Sequence, residues 1–271
     1  MPVNSGAAAS SSPADSLIQV DIDDSIARIA LARPHKRNAL SDPLVLALRE
    51  AFETLPASVQ AVVLHAQGPQ FCAGLDLSEM VEHDVPGGVA HSRMWHSAFE
   101  AIQFGRVPVV AALRGAVIGG GLELAASCHI RVAEPSTFYA LPEGSRGLFT
   151  GGGGSVRISR LIGVARMTDM MLTGRVLDAN EAHAAGLSQY LVGADEALPK
   201  AVELARKIAG NAPISNFAIL QALPRIAEQS MAEGFFTEAL MAGISQNEPT
   251  AKLRMREFLA GRAAKVRQEP T

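Results

Sequence analysis

Short β-rich runs alternate with helix-period stretches over the first two thirds of the chain, and helix-period stretches fill almost all of the rest. Leu17 to Val20 and Ile26 to Leu31 are rich in β formers, and Asp23-Asp24-Ser25 between them has the turn chemistry of a hairpin. Ser41-Asp42-Pro43 offers an N-cap and an early helical proline, after which Leu44, Leu46, Leu48 and Phe52 continue as a mostly apolar helix. Val62 to Ala66 reads as a strand, broken by Gly68-Pro69, and a loop runs from Phe71 to Asp76. Trp95, Phe99 and Ile102 recur at helical spacing within a helix over about 89–104. Val107 to Leu113 is the near-continuous apolar run of a strand buried on both faces. Gly119-Gly120-Gly121 leads into a helix, Leu122 to Ser127, and strands follow at 130–133 and 137–140. Beyond Gly151-Gly154 the pattern predicts helices at about 155–162, 165–172, 179–185, 195–209, 213–228, 230–245 and 248–263, interrupted only by a strand at 188–192.

This order predicts an α/β core over residues 16–195 and a helical region over 196–271. The helical region is too small to bury a large core alone, so it is expected to pack on the core or on a neighbouring subunit. Residues 1–15, mostly Ala, Ser, Gly and Pro, are too poor in apolar groups to order themselves and read as a tail.

Composition narrows the partners. Lys plus Arg number 24 against 27 Asp plus Glu, a net charge of −3, so no basic excess points to nucleic acid or an anionic membrane surface. With 48% hydrophobic and only 19% charged residues, several faces are expected to be buried between subunits. No run approaches the roughly 18 apolar residues of a membrane span, and the start lacks a basic segment followed by an apolar one, which predicts a cytoplasmic protein. Cys72 and Cys128 lack CxxC spacing, so neither a disulfide nor a metal site is expected.

The familiar catalytic signatures fail. Gly151-Gly152-Gly153-Gly154-Ser155 lacks the Lys-Ser/Thr of a phosphate loop, and Val156 stands where the last glycine of GxGxxG would be. There is no GxSxG and no HExxH, and the seven histidines show no metal spacing. Two glycine-tethered turns and two carboxylates remain. In Gly119-Gly120-Gly121-Leu122-Glu123 a helix begins, so the N–H of Gly120 is free with the positive end of the helix dipole behind it. Gly74 permits a turn that exposes the N–H of Leu75, a candidate for the second half of an oxyanion hole. Glu123 lies in the first turn of an otherwise apolar helix, and Glu143 follows Pro142 where the chain leaves a strand. A dipole-stabilising glutamate and a solvated loop glutamate are the plain alternatives to a pair that serves a pocket.

These segments resemble the crotonase (enoyl-CoA hydratase/isomerase) superfamily. Phe71 to Met80 resembles its FxAGxDLxEM segment and Gly119 to Ala125 its GGGxELA segment. Arg33-Pro34 with Asn38-Ala39-Leu40 looks like the RPxxxNAL opening, Val107 to Ala112 like the strand before the glycines, and Phe138 to Glu143 like FxxPE. Gly174, Ala182 and Ala185-Gly186-Leu187 fit a later TG…A…AGL stretch, so the resemblance spans about 17–262. It implies a ClpP-like spiral of ββα units whose carboxy-terminal helical region, 196–271, joins subunits into trimers or into hexamers as dimers of trimers. It also implies that Leu75 and Gly120 hold the thioester oxygen, and that Glu123 and Glu143 are the two acid/base residues of hydratases. Substrate and coenzyme A contacts are implied for Arg33, Lys36, Asn38, Ala39, Ala73, Asp76, Leu77 and Gly119. Coenzyme A would enter as part of an acyl-CoA substrate, with no other cofactor.

The activity so implied is addition of water to a 2-enoyl-CoA thioester. A double-bond isomerase is the alternative within the fold, and a non-catalytic protein that binds CoA thioesters is the alternative outside catalysis. Three positions depart from the family: Thr150 where a proline is common, His129 for the usual Asp, and Arg146 close to Glu143. An inward Arg146 would depress the pKa of Glu143, so a solvent-facing side chain is expected, and His129 is expected to be structural. Met80, Met94 and Trp95 are candidates for core or acyl-pocket lining, and Arg254, Arg256, Arg262, Lys265 and Arg267 for a solvated helix face.

Overall fold

The computed structural model describes residues 16–262, so the expected tail and the last residues of the helical region lie outside the described part. Strands β1 (Ile18–Asp23) and β2 (Ile26–Leu31) form the hairpin, paired antiparallel from Ile18 with Leu31 to Asp23 with Ile26. The turn places Asp24 at φ 55°, a conformation that a short polar side chain tolerates. Helix α1 (Asp42–Glu53) starts as its sequence directs: the Ser41 hydroxyl accepts from the N–H of Leu44, and Leu44, Val45, Leu48 and Phe52 are buried.

From β3 (Ala61–Ala66) onward the chain winds as a spiral. Each turn lays one strand in a large sheet, a second extended segment beside it, and then a helix. The first turn is β3, the bridge residue Cys72 and α2 (Val85–Gln103); the second is β4 (Val109–Leu113), β5 (Ala116–Ile118) and α3 (Gly120–Ser127). The third is β6 (Ile130–Ala133) and β7 (Phe138–Ala140), followed by α4 (Gly154–Ile162) and α5 (Val164–Thr173). Then come β8 (Leu177–Asp178), α6 (Ala179–Ala185), β9 (Tyr190–Leu191) and α7 (Ala197–Ala209). The large sheet has order β1-β2-β3-β4-β6-β9, parallel apart from the first hairpin, and the small one is β5-β7-β8.

The large sheet is covered on both faces. Val62, Leu64, Val109 and Ala111 point into the main core with Leu48, Phe99 and Ile102, while Val63, Val110 and Val132 meet Ala201, Leu204 and Ala205 of α7. That two-sided burial explains the near-continuous apolar runs. The remaining helices are α8 (Pro213–Gln221), α9 (Leu223–Ile226), α10 (Met231–Asn247) and α11 (Pro249–Leu259). Contacts join α10 to α8, α9 and α11, yet Phe235, Phe236, Leu240, Ile244, Leu253 and Phe258 remain exposed. Among the described residues no helix is long and apolar enough to cross a membrane.

Three expectations are revised. The helix expected over 213–228 is split because Pro224 lies in the first turn of α9, where its missing N–H costs nothing. Helix α2 begins earlier than its periodicity suggests, at Val85, where Asp84 accepts from the N–H of Gly87. Strands β5 and β8 are three and two residues long, too short to show a period, and were not expected.

Candidate active site

Gly119 has φ 52° and ψ −121°, open to a residue without a Cβ, and its N–H donates to Ala140 O at 2.9 Å, which ties the start of α3 to the end of β7. All of α3 is buried, so its first turn carries Glu123 into the interior at 3% exposure. The Glu123 carboxylate is then held by backbone: Oε1 accepts from the N–H of Gly152 at 2.9 Å and of Gly154 at 2.7 Å. Both donors come from the glycine run, in which Gly153 adopts φ 94°. A Cβ on Gly154 would lie 2.7 Å from Glu123 Cγ, so the loop approaches this closely only because it is glycine. Burial pushes the Glu123 carboxyl up to about 7; the Gly154 N–H opposes the rise and the nearby charge of Glu143 adds to it.

Glu143 follows β7 and Leu141-Pro142 and stands just before the short 3-10 turn Gly144–Arg146, with its side chain free of any capping bond to that turn. It is 9% exposed, Oε2 is buried without a hydrogen-bond partner, and Oε1 lies where a Cβ on Gly119 would approach to 2.8 Å. Burial raises its pKa; Arg146 opposes the rise but is itself exposed and does not govern it. Arg146 is exposed as expected, yet it also lines the cavity onto which both glutamates open.

Gly74, at φ 95°, brings its turn against β5, where a Cβ would meet Ile118 O at 3.0 Å. Leu40 N–H donates to Gly74 O and Asp76 N–H donates to Leu40 O, both at 2.7 Å. These two bonds clamp Leu75 between them, and no described hydrogen bond uses the N–H of Leu75 or of Gly120. Leu75, Gly120, Glu123 and Glu143 all line one cavity of about 860 Å³.

Asp76, Leu77 and Gly119 also line that cavity, whereas Arg33, Lys36, Asn38, Ala39 and Ala73 lie outside its lining. Arg33 and Asn38 are buried and build the turn instead. Arg33 pairs with Asp76 at 3.0 Å and donates to Ala39 O at 3.0 Å, while Asn38 donates to Gln67 O and Gln70 O and accepts from Arg33 N–H. Ala73 N–H donates to Arg37 O, and Lys36, half exposed, reaches Ser78 Oγ at 3.0 Å. Asp76 also accepts from the hydroxyl and N–H of Ser78; the Ser78 hydroxyl contributes most to holding its carboxyl below the usual range, and the Arg33 guanidinium adds to it.

His129 is structural as expected. Its Nδ1 accepts from Val109 N–H, so Nε2 carries the proton and donates to Gln103 O at 2.9 Å; desolvation pulls its pKa down to about 4. Trp95 and Met80 line the cavity, and Met94 packs on the core. Sequence reasoning missed Gly152 and Gly154, whose signal was the glycine run discarded as a phosphate loop. It also missed a side-chain cluster on the same cavity: Asp42 Oδ1 receives Trp95 Nε1 at 2.9 Å and faces His91 Nε2 at 2.8 Å. Residues this far apart in sequence leave no local pattern.

The comparisons with known proteins agree with this architecture. The family model described as enoyl-CoA hydratase/isomerase matches residues 21–268. A human protein named enoyl-CoA hydratase domain-containing protein 2, mitochondrial, is 37% identical over 89% of this chain and 83% of its own. A probable enoyl-CoA hydratase of Rhizobium meliloti is 33% identical over 92% of this chain and 96% of its own. Among solved structures, a candidate enoyl-CoA hydratase from Rhodopseudomonas palustris is 54% identical with a TM-score of 0.89, covering 96% of this chain and 100% of that one. An enoyl-CoA hydratase from Bacillus anthracis is 29% identical with a TM-score of 0.85, covering 91% and 97%. The chain belongs to the enoyl-CoA hydratase/isomerase family of enzymes and has its crotonase fold.

Proposed function

We propose that the protein adds water across the 2,3 double bond of a 2-enoyl-CoA thioester. The observation that carries this reading is the pair of buried carboxyls, Glu123 and Glu143, each with its pKa raised by burial, on one cavity with two unused backbone N–H groups. The N–H groups of Leu75 and Gly120 receive the thioester oxygen. Glu123, oriented by Gly152 and Gly154, takes a proton from water as the water oxygen bonds to C3. The π pair moves to C2 and the carbonyl, and the enolate oxygen is held by the two donors, each worth about 2.7–4 kcal/mol in comparable sites. Glu143, whose buried Oε2 favours the protonated form, gives its proton to C2. Two adjacent carboxyls share their titration, so at neutral pH one can hold the proton while the other accepts one. Coenzyme A belongs to the substrate, and no other cofactor enters these steps.

An isomerase would need one carboxylate to move a proton between carbons; the second, also buried on the same cavity, favours hydration. Incubating the protein with crotonyl-CoA and weighing the product separates the readings. Hydration yields a thioester heavier by one water, and an unchanged mass under conditions where the thioester binds would contradict it. We further propose that the exposed aromatic and aliphatic side chains of α10 and α11 are covered in a homotrimer or hexamer, to be checked by light scattering.

A further inference from the structure

Resting on the reading of this cavity as an acyl-CoA site, we infer that its acyl wall selects chains carrying a hydroxyl group, and that His91 is the residue that recognises it. The cavity has walls of two kinds. One is backbone: the Gly74 to Leu77 turn, Gly119-Gly120 and Gly151-Gly152, next to the two glutamates. The other is side chain, supplied by the start of α2 and the segment before it: Val81, His83, His91 and Trp95. An ideal Cβ on Gly120 would lie 3.1 Å from the Trp95 ring, so Trp95 flanks the point where the thioester oxygen is held. From there the rings step away from that point: Trp95 to His91 at 5.9 Å between centroids, and His91 to His83 at 5.1 Å in a stacked arrangement.

A wall of plain alkyl contacts would suffice for a straight-chain acyl group. This one instead carries a histidine with one ring nitrogen engaged by a carboxylate. Asp42 Oδ1 lies 2.8 Å from His91 Nε2 and also accepts from Trp95 Nε1. A carboxylate only accepts, so Nε2 carries a proton toward Asp42 and Nδ1 is the ring's remaining polar atom, with which a hydroxyl, able both to donate and to accept, can pair. No described hydrogen bond uses that nitrogen. The adjacent charge decides the class of ligand. Asp42, Asp76 and Glu82 line the cavity with Arg146, so carboxylates outnumber the one guanidinium even before the two glutamates are counted; a carboxylate-bearing chain meets net repulsion, whereas a hydroxyl pairs with Nδ1 without a charge penalty.

The test uses saturated acyl-CoA thioesters unsubstituted at C3, which bind without reacting, in matched sets ending in methyl, hydroxyl or carboxylate over lengths that place the terminal group beyond C3. Calorimetric titration of the wild-type protein is expected to show the hydroxyl member binding about tenfold tighter than the methyl member at the length that reaches His91, the scale of one hydrogen bond. His91→Phe keeps a ring against His83 and should reduce that preference to within about twofold, the loss falling on the hydroxyl member and far less on the methyl member. Equal or tighter binding of the methyl member at every length, a carboxylate preference, or a hydroxyl preference that survives in His91→Phe would overturn the inference. Because no turnover is read, the outcome is independent of whether the enzyme hydrates or isomerises; failure of every thioester to bind would instead overturn the acyl-CoA reading and this inference with it.

Discussion

The two glutamates reach the same cavity by opposite routes. Glu123 rides on a fully buried helix and is fixed by two backbone N–H donors, while Glu143 sits at the exit of a strand with one oxygen buried and unpartnered. Burial raises the pKa of both. The difference lies in what opposes it: Glu123 has two donors from the glycine run that favour its charged form, Glu143 a hydrogen bond from its own backbone and, after that, the charge of Arg146. Similar environments with unequal backbone support separate a base from an acid without any change of residue type.

The largest expected effect comes from removing either carboxyl. Glu123→Gln or Glu143→Gln should each lower kcat for hydration by about 10²–10⁴-fold, the usual worth of a positioned acid or base, with the far-ultraviolet circular dichroism unchanged. Gly119→Ala attacks the pair through the backbone. Its Cβ would meet Glu143 Oε1 at 2.8 Å at a φ of 52°, so kcat should fall about a hundredfold while binding of a saturated acyl-CoA weakens far less.

Next in size are two effects on stability. Asp76→Ala leaves Arg33 buried without its carboxylate and should lower unfolding free energy by on the order of 3 kcal/mol, read by denaturant titration. Glu123 gives a pH-dependent effect. Its folded pKa of about 7 lies above the ordinary 4.5, so the folded state binds the extra proton between those values and stability falls as pH rises through that window. Glu123→Gln, which keeps an acceptor for Gly152 and Gly154, should therefore gain stability relative to wild type between pH 5 and 8, by at most about 3 kcal/mol. A gain that shrinks with rising pH would show that Glu123 is not held in this environment.

The turns that present Leu75 and Gly120, and the two glutamates beside such turns, were readable in the sequence; the backbone donors Gly152 and Gly154 and the side-chain cluster around Asp42 were not. Gly74, Gly119 and Gly120 announce turns and a helix start because only glycine permits those conformations or approaches, and the two glutamates stand next to such signals. The alternating strands and helices likewise followed from periodicity, apart from β5 and β8, whose length hides it. Arg33 and Asn38 belong to a matching motif, but their roles depend on what surrounds them: buried among Asp76, Ala39, Gln67 and Gln70, they shape the turn that presents Leu75. Asp42, His91 and Trp95 meet only through packing of α1 against α2, a contact that no local pattern encodes.

The most direct test of the paired-carboxylate account is the decay of conjugated-thioester absorbance when crotonyl-CoA is mixed with wild type, Glu123→Gln and Glu143→Gln at matched concentrations. The account predicts rapid decay in wild type and loss of about two or more orders of magnitude in each variant, with thioester affinity retained. Decay in either variant at the wild-type rate would contradict it.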